Sequence, residues 1–172
     1  MSSPKNPHAM AYFQEAIAYY IAANKLREIM TTQPPSGLPL RDPTYFLYHH
    51  SAKLTLKACL LSHGAKIRSG HNIVALFDRC QTKGLLGLKD AHSEAHNLMV
   101  LLNGGNYGMI YRYVDASKHV IPELSWVHET VDRLIGTIEP HLVTWATRNN
   151  VPGPSNIRLT FGNRPIQNNR SL

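Results

Sequence analysis

From Leu124 to Trp145 the apolar residues Leu124, Val127, Val131, Leu134, Ile138, Leu142 and Trp145 recur at intervals of three and four. A β-strand alternates its side chains between two faces, so it cannot gather such a series; an α-helix lines it along one stripe. A stripe this long must be covered by other helices, and the segment alone therefore predicts the seam of a helical bundle. Pro122 opens the segment. Pro140, inside it, removes one N–H and crowds the carbonyl of Gly136, which predicts a bend.

The remaining segments fit the same architecture. Phe13, Ile17, Ile21 and Asn24 repeat at helical spacing between His8 and Met30. Thr31 to Asp42 contains Pro34, Pro35, Gly37 and Pro39, a stiff loop that can be neither helix nor central strand. Asp42 and Pro43 then supply an N-cap and a first-turn proline for a second helix. Its stripe is Leu47, Leu54, Ala58 and Leu61, small Ser51, Thr55 and Ser62 favour close helix approach, and Gly64 stops it. A short third helix is expected from Gly70 to Cys80, carrying Ile73, Val74, Leu76 and Phe77, with Gly84 and Gly87 in the loop after it. A fourth runs from Asp90 through Ala91, Ala95, Leu98 and Leu102 to Asn103-Gly104-Gly105-Asn106. Tyr107 to Ile121 has no helical period. After Asn149-Asn150 come Val151-Pro152-Gly153-Pro154 and a polar tail in which Ile157–Phe161 has some strand character. The predicted fold class is all-α: an up-and-down bundle of four to five helices over 8–149, followed by a basic, largely irregular C-terminal tail over 150–172.

Composition narrows the function classes. With 43% apolar and 17% charged residues in 172, the chain is not of the intrinsically disordered kind. No apolar run approaches the roughly 20 residues of a membrane span, and no basic-then-apolar signal opens the chain, so the expectation is a cytoplasmic protein without membrane contact. Cys59 and Cys80 fall within helical segments and are expected to be small buried hydrophobes rather than a disulfide framework. The net charge is +7. Between His49 and Lys89 the bases Lys53, Lys57, Lys66, Arg68, Arg79, Lys83 and Lys89 face one acid, Asp78, and the tail adds Arg158, Arg164 and Arg170. So concentrated a basic region is the footprint of a polyanion partner, or else a solvated helix face.

Ten histidines raise the question of a metal. His92 and His96 are four apart, but their order, His-Ser-Glu-Ala-His, is not the zinc-protease one, and no Glu-x-x-His stands on a second helix. We expect no metal site and no cofactor. There is no phosphate-binding Gly-rich loop with its Lys-Ser/Thr, and no nucleophile elbow. The richest constellation is Tyr107 to His119, where Tyr107, Tyr111, Arg112, Tyr113, Lys118 and His119 fall together. Aromatic faces stack on bases, Arg and Lys hold phosphates, and a His can move protons near neutral pH. Such a group would also serve as packing at a helix junction.

His50 to Leu61, then Gly64, then Gly70-His71-Asn72-Ile73-Val74-Ala75-Leu76 resemble the second and third helices of HEPN domains, the higher eukaryote and prokaryote nucleotide-binding domains. The stretch from Ala11 to Leu26 is similar to their opening helix, and Tyr111-Arg112-Tyr113 to an Arg-Tyr junction before the last helix. The resemblance covers roughly residues 9 to 148. It implies a helical bundle, commonly a homodimer, associated with nucleotides or RNA, with Lys53, Lys57, Tyr111, Arg112, Tyr113 and Lys118 as the binding side chains. Ribonuclease members carry an Arg, four to six residues, then a His; Arg112 and His119 enclose six and would be the catalytic pair of a metal-independent endoribonuclease. Those members set the motif at the start of their last helix, whereas Pro122 puts that start after His119. Three readings stay open: a nucleotide- or RNA-binding module of a toxin–antitoxin or stress-response system, with an antitoxin or nucleotidyltransferase as partner; that endoribonuclease; and a non-catalytic protein–protein interaction module.

Overall fold

The computed structural model of the chain describes residues 8–32, 40–67, 72–85, 92–103 and 122–152. These hold five helices, α1 (His8–Thr32), α2 (Arg41–Ser62), α3 (Ile73–Thr82), α4 (His92–Asn103) and α5 (Leu124–Asn149), and no strand. The all-α expectation stands. The tail after Pro152 and the Ile157–Phe161 segment lie outside the described residues.

α2 is the hub, packed against α1, α3 and α5. From Tyr48 to Ser62 it is buried around its whole circumference except at His50 and Lys57. A single stripe through Leu47, Leu54, Ala58 and Leu61 therefore understates it, because three neighbours cover three sides. Small residues make this possible. Ser51 Oγ donates to the carbonyl of Ala16 at 2.8 Å, a bond from α2 to the backbone of α1 that requires the close approach its size suggested. Thr55 and Ser62 satisfy their buried hydroxyls on Ser51 O (2.9 Å) and Cys59 O (2.7 Å) of their own helix. Tyr12 meets Lys57 and Tyr19 meets His50, so α1 and α2 run antiparallel.

α5 lays Val127, Val131, Leu134, Ile138 and Leu142 into the core, with Leu124 and Trp145 half-buried at the ends of the stripe. The helix continues past Pro140 to Asn149. Pro140 and Gly136 are both exposed, so the carbonyl that loses its donor faces water. The hydroxyl of Tyr45 donates to the carbonyl of Pro122 and fixes the entry to α5. Helix ends follow one pattern. Gly64 (φ 72°) and Gly84 (φ 67°) take the left-handed conformation while Ala65 N–H and Leu85 N–H reach back to Leu60 O and Cys80 O, both at 3.0 Å. Asn150 (φ 51°) does the same after α5.

Three predicted starts move. α2 begins at Arg41 with Leu40 in the cap position and no side-chain cap; Asp42 lies inside the first turn, where its charge favours the helix N-terminus instead. Pro43 costs nothing there, since first-turn N–H groups have no intrahelical acceptor. α3 starts at Ile73 rather than Gly70, because Asn72 caps it: Asn72 Oδ1 accepts from Ala75 N–H at 3.0 Å, and Asn103 Oδ1 of α4 accepts from Ile73 N–H at 3.0 Å. α5 starts at Leu124, two residues after Pro122, with Glu123 as its extended N-cap residue. The predicted start of α4 at Asp90 lies outside the described residues.

Candidate nucleic-acid interface

Phe46, His50, Lys53 and Lys57 stand at i, i+4, i+7 and i+11, so they share one face of α2. On α1, Tyr12, Ala16, Tyr19 and Ala23 have the same spacing. The antiparallel register brings the two rows together along a seam. Lys57 Nζ lies 6.0 Å from the centre of the Tyr12 ring. The His50 ring meets Tyr19 edge-on at 4.3 Å and stacks on Phe46 at 5.6 Å. Between these pairs, the register sets Lys53 opposite Ala16, and Lys53 is only 7% exposed. Tyr12, Tyr19, Phe46, His50 and Lys57 are half-buried, each leaving part of its surface to solvent.

Partial burial draws the Lys57 ammonium below the usual lysine range, because water is stripped from its charged form. The Tyr12 ring gives it a π face in compensation. An ammonium already partly dehydrated has less hydration to lose when it meets a phosphate. Half-exposed aromatic rings beside it offer stacking faces that suit any base. The seam thus joins Lys53 and Lys57, both predicted from sequence, to Tyr12, Tyr19, Phe46 and His50, which were not. Their signal was available as matched i, i+4, i+7 rows on two helices, but only the register reveals that the rows face each other. Tyr111, Arg112, Tyr113, Lys118 and His119 lie outside the described residues; α5 begins after them, at Leu124.

A second polar cluster joins the C-terminal half of α1 to the N-terminal parts of α2 and α5. Tyr20 Oη donates to Asp132 Oδ1 at 2.6 Å, and Tyr48 Oη donates to Asn24 Oδ1 at 2.6 Å. His128 Nδ1 stands 3.2 Å from Tyr48 Oη and 3.5 Å from Tyr20 Oη. Each phenol has one proton, already given elsewhere, so His128 must supply the proton of its contact with Tyr48. That selects the Nδ1–H tautomer and leaves the lone pair on Nε2. Burial pushes the Tyr48 hydroxyl up to about 12 against the pull of Arg27, and burial followed by Asp132 pushes Tyr20 up as well. Burial, then the positive charge of Arg27, holds His128 below the ordinary imidazole value. Two neutral phenols and a neutral imidazole therefore sit between Arg27 and Asp132.

The one acid of the basic stretch, Asp78, turns to His96 Nε2 of α4 at 3.4 Å. Lys66, Arg79 and Lys83 remain together at the α2–α3 end, where the Arg79 guanidinium donates to Lys66 O at 3.0 Å. Among the described residues no three His, Cys, Asp or Glu side chains converge on a point, and no helix is long and apolar enough to cross a membrane.

Compared with known protein families, residues 39–139 match the model of the HEPN domain. Neither a curated protein nor a solved structure matches the chain.

Proposed function

The chain belongs to the HEPN domain family, and from that premise we propose that it is a homodimeric nucleotide- or RNA-binding module of the cytoplasm. The observation that carries this reading is the α1–α2 seam, where part-exposed Lys57 and the half-exposed rings of Tyr12 and Tyr19 of α1 and Phe46 and His50 of α2 come together. Single-stranded RNA would lie along it, bases against Tyr12, Tyr19, Phe46 and His50 and phosphates near Lys57, while Lys53, covered at 7% exposure, would not touch them directly. Tyr111, Arg112, Tyr113 and Lys118 would extend the contact. A toxin–antitoxin or stress-response setting, with an antitoxin or nucleotidyltransferase partner, fits such a module.

Fluorescence anisotropy with a short single-stranded RNA tests it. Binding should weaken as salt rises, with log K falling by about 0.7 per decade of salt for each phosphate neutralised. Lys57→Ala should weaken binding and flatten that slope by one such step. Binding that ignores salt would instead favour the protein–protein reading. Cleavage is the finer proposal: His119 as acid/base, Arg112 on the phosphate, no metal required. Alanine at either position should then cost roughly 10²–10⁴-fold in rate in the presence of chelator, with the helical circular dichroism unchanged.

A further inference from the structure

Cys59 and Cys80 play no part in the seam or in the polar cluster. Cys59 is on α2 and Cys80 on α3, and both are fully covered, at 1% and 0% exposure. Cys80 Sγ lies 3.7 Å from the carbonyl oxygen of Leu56. A helical carbonyl points toward the residues three and four further on, so this places the Cys80 sulfur at the base of the Cys59 side chain. The two thiols are near enough for each to shift the other's acidity. They come from separate helices that otherwise meet through apolar side chains, including Leu60, Ile73, Leu76 and Phe77 of the same core.

We propose that Cys59 and Cys80 form an oxidisable dithiol, which a hydroperoxide converts into a disulfide tying α2 to α3. The Cys59 thiolate attacks the terminal peroxide oxygen; the O–O bond breaks and the other oxygen leaves, protonated, as alcohol or water, giving a sulfenic acid on Cys59. The Cys80 sulfur then attacks the Cys59 sulfur; the S–O bond breaks, and the hydroxyl leaves as water with the Cys80 proton. Two thiols have lost two electrons and the peroxide has gained them. Cys59 takes the first role because the neighbouring Cys80 holds that thiol below its ordinary value, while the same pairing, with burial, pushes Cys80 up. The route in is local opening of α3, ten residues long and held at its start by Asn72 and Asn103. Burial slows the reaction, and it also hides the finished disulfide from reductants. Closing a loop of ~20 residues, the bond would stabilise the fold. It would also fix α3, with Arg79 in its last turn and Lys83 at its C-cap, against α2 and the Lys66 that follows it.

Treating the full chain with hydrogen peroxide, alkylating in guanidine and mapping peptides without reductant tests this. The expected product is an intramolecular crosslink between the Cys59 and Cys80 peptides, lighter by two hydrogens and reversed by dithiothreitol, with a melting temperature several degrees higher. Cys59→Ala and Cys80→Ala should each abolish the rise. Full alkylation of both thiols after peroxide, a crosslink only between chains, or a sulfinic acid without crosslink would each overturn the proposal. The map on the unmodified sequence decides even where an alanine variant folds poorly, and neither result depends on RNA binding.

Discussion

Tyr20 and Tyr48 each give their single proton to an oxygen, Asp132 Oδ1 in one case and Asn24 Oδ1 in the other, and this decides what His128 can be. Tyr20→Phe leaves the ring in place and removes the bond to Asp132. It should cost about 1–2 kcal/mol in urea unfolding, the lower range of bonds to charged acceptors because Asp132 is exposed. His128 makes stability depend on pH in a definite direction. Its folded value lies below the ordinary 6.5, so as pH falls through that value the unfolded chain takes up a proton that the folded one still refuses. Stability should be flat in this respect above about 6.5 and decline below it, continuing down to the folded value. His128→Gln should flatten that decline. On the seam, Glu15 stands three residues after Tyr12 and four before Tyr19, an exposed carboxylate beside the proposed phosphate path. Glu15→Gln should therefore tighten RNA binding; unchanged or weaker affinity would argue against this path.

Helix boundaries show how local chemistry and tertiary contact share the work. Gly64 is legible as a stop because only a left-handed residue lets the chain turn back there, and the structure has it at φ 72°. The start of α3 is less legible. Gly70 suggests a beginning, but the helix starts where Asn72 and, from a different helix, Asn103 accept the free N–H groups. Pro140 is an element-scale cost with no visible return among the described residues: it is exposed within α5, and Gly136 beside it is exposed too. Pro140→Ala restores an N–H donor and should raise stability by about 1–3 kcal/mol, measured by the guanidinium midpoint. No change would mean that α5 already accommodates the proline without cost.

For the molecule as a whole, α2 carries the organisation, with α1, α3 and α5 packed around it. Both polar assemblies use it: Phe46, His50, Lys53 and Lys57 look toward α1, while Tyr48 reaches the cluster shared with Asn24 and His128. The proposed homodimer belongs to this scale. Light scattering at micromolar concentration should give twice the 19.3 kDa chain mass, and a single-chain mass would remove the dimer from the proposal.

The sequence by itself determined the fold class, the existence of the five helices among the described residues and most of their core, since apolar periodicity and Gly, Pro and Asn punctuation act locally. The α5 stripe is the clearest case, with Val127 through Leu142 buried as their spacing required. Of the candidate site it offered two lysines on α2 and the Tyr107–His119 cluster. It could not say that Lys53 would be covered, nor that Tyr12 would stand under Lys57 and Tyr19 against His50, because these depend on the register between two helices. The same holds for the Tyr20, Tyr48 and His128 cluster and for the thiol pair, whose members lie far apart in the chain. Such contacts carry no local signal. Only tertiary packing brings them within a few ångströms, and at that range the chemistry of a proton, a charge or a sulfur is decided.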